Sequence, residues 1–103
     1  IVIESTGRFT NAADAGKHIL HPAADANART FTIPANASVA FPVGTAVTFV
    51  NQTSQVVSIA ITSDTLTLAN STTTGTRSLA QNGVATAIKV SSTAWIISGA
   101  GLT

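Results

Sequence analysis

The strongest grouping of side chains that could do chemistry is Asp14, His18, His21 and Asp25. Intervals of four, three and four would bring all of them onto one face of a helix, as in helices that hold zinc. On a strand they cannot converge, because positions 18 and 21 are an odd number apart and their side chains point to opposite faces. Pro22 argues against a continuing helix, and residues 17–21 (KHILH) read as a compact strand. The expectation is no metal and no cofactor. One histidine would pack, and the other would be solvated or set against a neighbouring subunit, where its protonation would make assembly sensitive to pH.

Catalysis is expected to be absent. Glu4 is the single glutamate, and Asp14, Asp25 and Asp64 sit in separate turn regions, where an aspartate ordinarily bonds its own backbone. A glycosidase needs two carboxyl groups at a defined separation. No serine lies in a Gly-x-Ser-x-Gly elbow, and Thr74-Gly75-Thr76-Arg77 lacks the second glycine and the lysine of a phosphate loop. Three Asn-x-Ser/Thr triplets, at Asn36, Asn51 and Asn70, are chance matches in so Ser/Thr-rich a chain. What remains is contact chemistry. The polar runs 51–55 (NQTSQ) and 70–75 (NSTTTG) read as exposed loops, so Asn51, Gln52, Thr53, Asn70, Thr72 and Thr73 are the candidate contacts with a partner or receptor.

The elements that must carry these loops are strands. Residues 31–51 hold two turn signals, Pro34-Ala35-Asn36 and Pro42-Val43-Gly44, between three alternating runs: Phe31 and Ile33, Val39 and Phe41, Val47 and Phe49. Val57, Ile59 and Ile61 alternate again, Leu66 and Leu68 follow a Ser63-Asp64 turn, and Arg77–Ala80 is a weak strand. Gln81-Asn82-Gly83 reads as an Asn-Gly hairpin turn into Val84, Thr86, Ile88 and Val90, the cleanest alternation in the chain. Ser91–Thr93 then returns it into Trp95-Ile96-Ile97. Ile1–Ile3 is an edge strand or the exit from a preceding segment, and residues 22–28 form a loop. Eight or nine short strands without helical periodicity predict a single all-β domain over residues 1–103, an antiparallel sandwich or barrel-like fold, with residues 1–8 a linker or edge. Trp95 is expected in the core, near Val47 or Phe49 and Val57 or Ile59.

Charged residues make up 9% of the 103 against 45% hydrophobic, too apolar for a disordered chain. So little charge to solvate the outside predicts that part of the surface faces other protein. A net charge of +1 without a basic cluster speaks against nucleic acid. No apolar run reaches the roughly 18 residues of a membrane span, and no basic n-region precedes an apolar core. The absence of cysteine excludes disulfides and leaves the redox compartment open. A start at Ile1 and a lack of methionine suggest a processed product or a portion of a longer polypeptide.

The segment Thr32–Thr45 (TIPANASVAFPVGT), continued by Val47–Asn51 and closed by Lys89–Gly99 (KVSSTAWIISG), resembles a small β domain that recurs in structural proteins of tailed bacteriophages. In that group a TIPANxSxxFPxGT core precedes a strand ending in Asn or Gln, and the domain finishes on a hairpin carrying Trp and then Gly. The match runs from about Asp14 to the end and leaves the residues before about Phe9 outside it. Tail fibres, head-attached fibres and unassigned virion proteins share the pattern. The resemblance therefore implies a component at the surface of a phage particle: a structural or decorating module, trimeric or seated on other virion subunits. The alternative is a receptor-binding tip that holds host glycan or protein through the loops at 51–55 and 70–75. One tryptophan and no tyrosine speak against a sugar platform.

Overall fold

The computed structural model describes residues 2–3, 16 and 18–103. Within them the chain is all-β and forms eight strands: β1 (Val2–Ile3), β2 (His18–His21), β3 (Arg29–Ile33), β4 (Ala46–Asn51), β5 (Val57–Ile61), β6 (Thr65–Leu68), β7 (Arg77–Ser91) and β8 (Ala94–Leu102). They make one sheet that curls into a half-barrel.

Strand β7, fifteen residues long, is its spine. Its second half pairs antiparallel with β4 (Ala46 opposite Ile88, Asn51 opposite Gly83), and its first half pairs antiparallel with β5 (Val57 opposite Leu79). Leu79 and Val84 each also pair with β8, so β4 and β5 lie end to end along the edge of β7 that β8 leaves free. The loop at 52–56 bridges the join. Outside this pair a second strand–loop–strand follows the same course: β2 runs parallel to β4, and β3 runs parallel to β5.

Two local expectations are corrected. Asn82-Gly83 does not reverse the chain, because Arg77–Ala80 and Val84–Val90 belong to the one strand β7. Asn82 takes a left-handed conformation (φ 59°) inside a bulge between Leu79 and Val84. An Asn-Gly pair supplies a left-handed residue for a bulge as readily as for a turn. Here the bulge falls where β7 passes from partner β5 to partner β4. Val39 and Phe41 are not a strand either. The N–H groups of Ser38 and Val39 both donate to Ala35 O (2.9 and 3.0 Å), a single helical turn. Residues 34–45 thus form a crossover, the connection of about a dozen residues that parallel strands require. The pairing sense is mixed rather than wholly antiparallel: the crossover lets β2–β4 and β3–β5 pair parallel, and β1–β2 and β6–β8 are parallel as well.

The concave side holds the core: Ile19, Phe31, Ile33, Val47, Phe49, Val57, Ile59, Leu66, Leu79, Ala85, Ala87, Trp95 and Ile97, with Phe41 delivered by the crossover. Trp95 is buried as expected, and its ring meets Phe41 edge-on at 5.8 Å between centroids. Phe31 packs against Phe49 at 5.9 Å.

Candidate interaction face

Alternation along the strands sends the other residues to the convex side. On β7 these are Val84, Thr86, Ile88 and Val90, while the small Ala85 and Ala87 point inward. The reason lies across the ladder. Ala85 faces Phe49 and Ala87 faces Val47 on β4, so small residues on β7 leave room for large neighbours within the core. The bulky β-branched side chains are left outside. Val84, Ile88, Val90 and Ile96 retain 40–47% of their accessible surface.

Register makes these residues contiguous. Ala46, Ile88 and Ile96 form one cross-strand row, Thr48, Thr86 and Ser98 the next, and Val50, Val84 and Ala100 the third. Thr48 and Thr86 share a hydroxyl–hydroxyl bond of 3.0 Å. Two of the rows continue onto β2, with His18 at the register position beside Thr48 and Leu20 beside Val50, and no Asp, Glu, Lys or Arg occurs in any of the three. Exposed aliphatic side chains on a face depleted of acidic and basic residues suit contact with protein better than contact with water alone.

The structure divides the six residues read as contacts. Asn51 and Thr53 are buried, which corrects their assignment to an exposed loop. Asn51 lies at the join between β4 and β5. Its amide donates to Gln55 O (2.8 Å) and Leu79 O (3.0 Å), and its Oδ1 accepts from Thr53 N–H and Thr53 Oγ1 (both 3.0 Å). A five-residue loop beside a bulge leaves backbone groups off the ladder, and this side chain satisfies them. The burial also removes Asn51 as a glycan acceptor in the folded chain. Gln52 is exposed, although its N–H donates to His21 O (3.0 Å). Asn70, Thr72 and Thr73 are exposed in the loop at 69–76, which folds on itself through Ser71 Oγ, an acceptor for Thr73 N–H at 2.9 Å.

Of the four candidate metal ligands, Asp14 lies outside the described residues and His18 opens β2. His21 is fully buried, and its Nε2 donates to Asp25 Oδ2 at 2.8 Å. Arg29 Nε donates to the same oxygen (2.9 Å) and Nη2 to Oδ1 (3.2 Å), with Asn27 Nδ2 on Oδ1 at 2.7 Å. The Arg29 bonds, then those from Asn27 and His21, hold the Asp25 carboxyl well below the usual carboxylate range, and Arg29 is shifted upward in turn by Asp25. This cluster clamps the loop at 22–28 as Asn51 clamps the loop at 52–56. Among the described residues no group of three or more His, Cys, Asp or Glu side chains converges.

A further polar centre lies outside the residues that sequence reasoning singled out. Lys89, the inward residue after Ala85 and Ala87, is 1% exposed. Its Nζ donates to Asn36 Oδ1 (2.6 Å) and to Phe41 O (2.7 Å), and it stands 6.0 Å from the centroid of the Trp95 ring. Its backbone pairs with Thr45 O and Gly44 N–H, so Lys89 fastens the crossover to the spine at several points. The only available signal was the parity of its position, which groups it with Ala85 and Ala87.

Compared with known protein families, with curated proteins and with solved structures, the chain matches none.

Proposed function

We propose that this chain is a non-enzymatic structural module that works by assembly, its convex face covered by copies of itself, as a component of a phage particle. The single observation that carries the assembly reading is the uncharged patch of Val84, Ile88, Val90 and Ile96, each 40–47% exposed on one sheet face. The principal extents of 35 × 29 × 19 Å leave room on the broad side for the roughly 800 Å² per partner of a stable interface. The phage context rests on the resemblance of residues 32–51 and 89–99 to virion β domains. In that group trimers are common, which makes three the proposed copy number and the particle surface the proposed location. Sedimentation of the wild type against an Ile88→Lys, Ile96→Lys double variant tests the reading: the wild type forms a trimer and the variant a monomer. A variant that sediments with the wild type refutes the assignment of this face.

One observation favours a second reading, a receptor-binding tip. A cavity of about 280 Å³ opens between the turn after β5 and the loop at 69–76, lined by Thr62, Asp64, Thr65, Thr74 and Thr76. Hydroxyls with one carboxylate suit a sugar more than an apolar ligand, although no aromatic ring lines the cavity. Binding of the isolated domain to host cells, lost on Asp64→Ala, is the outcome this reading requires.

A further inference from the structure

Among the described residues no carboxylate forms an ion pair with Lys89, although its ammonium is enclosed by Asn36, Phe41 and Trp95. Burying a charge without a counter-ion is costly, and a reaction that removed the charge while keeping the hydrogen bonds would relieve the site. The geometry supplies a partner for such a reaction. Lysine only donates, so Asn36 presents its amide oxygen, and the Nζ atom lies 2.6 Å from Oδ1, the atom bonded to the electrophilic carbon Cγ. The Asp64 carboxylate is tied to the same residue, accepting the Asn36 N–H at 2.8 Å.

We propose that Lys89 Nζ and Asn36 Cγ join in an intramolecular isopeptide bond. The ammonium passes one proton by way of water to the Asp64 carboxylate, which touches the backbone N–H of Asn36 and not Nζ, and the freed lone pair adds to Cγ after the amide group rotates to present its face. The adduct nitrogen gives up a second proton, Nδ2 takes one, and the Cγ–Nδ2 bond breaks. The departing ammonia takes the proton that Asp64 holds. Overall, one ammonium side chain and one primary amide become one secondary amide and one ammonium ion, with no oxidant or other reactant. Holding amine and amide together in a site walled by aromatic rings supplies the orientation such a slow reaction needs. The product suits the site, since its single N–H still serves Phe41 O, now 2.7 Å from Nζ, and the buried charge is gone. It would close a loop between positions 53 apart and fix the crossover to the spine covalently.

Intact mass spectrometry of the purified, folded 103-residue chain tests the proposal. The expected mass is one ammonia below that of the sequence, and digestion yields a branched peptide joining the segments around positions 36 and 89. Succinimide formation at Asn82-Gly83 loses the same mass, so the fragment spectrum must place the loss. Lys89→Arg abolishes the cross-link without touching a succinimide, and Asp64→Asn slows cross-linking. Wild-type protein that stays at the full sequence mass after prolonged incubation, or whose loss maps to Asn82 alone, overturns the proposal. Neither result depends on a variant that folds.

Discussion

The side-chain amide of Asn51 donates to the carbonyl of Leu79 at 3.0 Å, across the point where β4 ends, β5 has yet to begin and β7 bulges. One buried residue thus holds two collinear strands to their common neighbour. Asn51→Ala removes the side-chain partner of Leu79 O and of Thr53 N–H together, while Gln55 O keeps the bond from Thr53 Oγ1 at 3.1 Å. Each buried group left unsatisfied costs about 1–3 kcal/mol, so urea unfolding should show a loss toward the upper part of that range or beyond it. A change within about 0.5 kcal/mol, the size typical of surface sites, would place water rather than protein on those groups.

Trp95 makes a different kind of contribution. It is 1% exposed, yet its Nε1 has no hydrogen-bond partner among the described residues, so its value is packing against Phe41 and the rest of the core. Trp95→Ala should cost about 3–5 kcal/mol, whereas Trp95→Phe, which loses no hydrogen bond, should cost well under half of that. Equal losses from the two variants would show that the indole N–H is satisfied after all.

Acid stability should depend on Asp25. Hydrogen bonds from Arg29, Asn27 and His21 lower its folded-state value below that of the unfolded chain. Below the ordinary carboxyl range, at about pH 4, the unfolded state therefore binds more protons than the folded one, and stability falls as pH falls. The contribution is present in full above that range and is lost on descent toward the lowered folded value. Chemical denaturation between neutral pH and pH 2.5 should show a steeper acid decline in the wild type than in Asp25→Asn. Parallel curves would remove Asp25 from the account.

How far the sequence reaches is shown by particular residues. Phe31 and Ile33, Val47 and Phe49, and Val57 and Ile59 were legible as strand positions because period-two alternation is a local property. Pro34 and Gly44 were legible as breaks. Their consequence was not, since a turn former does not reveal whether the chain reverses or crosses over, and Asn82-Gly83 serves a bulge because β4 and β5 meet there. The alternation of Val84–Val90 likewise does not say which side is inside. That depends on Phe49 and Val47 across the ladder, which take up the space that Ala85 and Ala87 leave. The polar loop at 51–55 looked exposed by composition, yet Asn51 and Thr53 turn inward to satisfy backbone groups. The pairing of Lys89 with Asn36 joins residues 53 positions apart, which no local pattern records.

Substitutions on the convex face should separate folding from assembly. Ile88→Lys and Ile96→Lys each replace a side chain that is 40–45% exposed, so monomer stability should move by no more than about 0.5–1 kcal/mol. Association should weaken by about 2 kcal/mol or more if the pair sits at the centre of the interface. The corresponding change on the core side, Ile97→Lys, should instead unfold the domain, because Ile97 is fully buried.

The most direct measurement is sedimentation velocity of the wild-type chain across micromolar concentrations, at two salt concentrations. A contact built from Val84, Ile88, Val90 and Ile96 carries no charge of its own to screen, so at a pH well above the ordinary histidine range the account predicts an oligomer, a trimer, whose dissociation does not rise with salt. A stable, soluble monomer throughout that range would contradict self-assembly through the convex face.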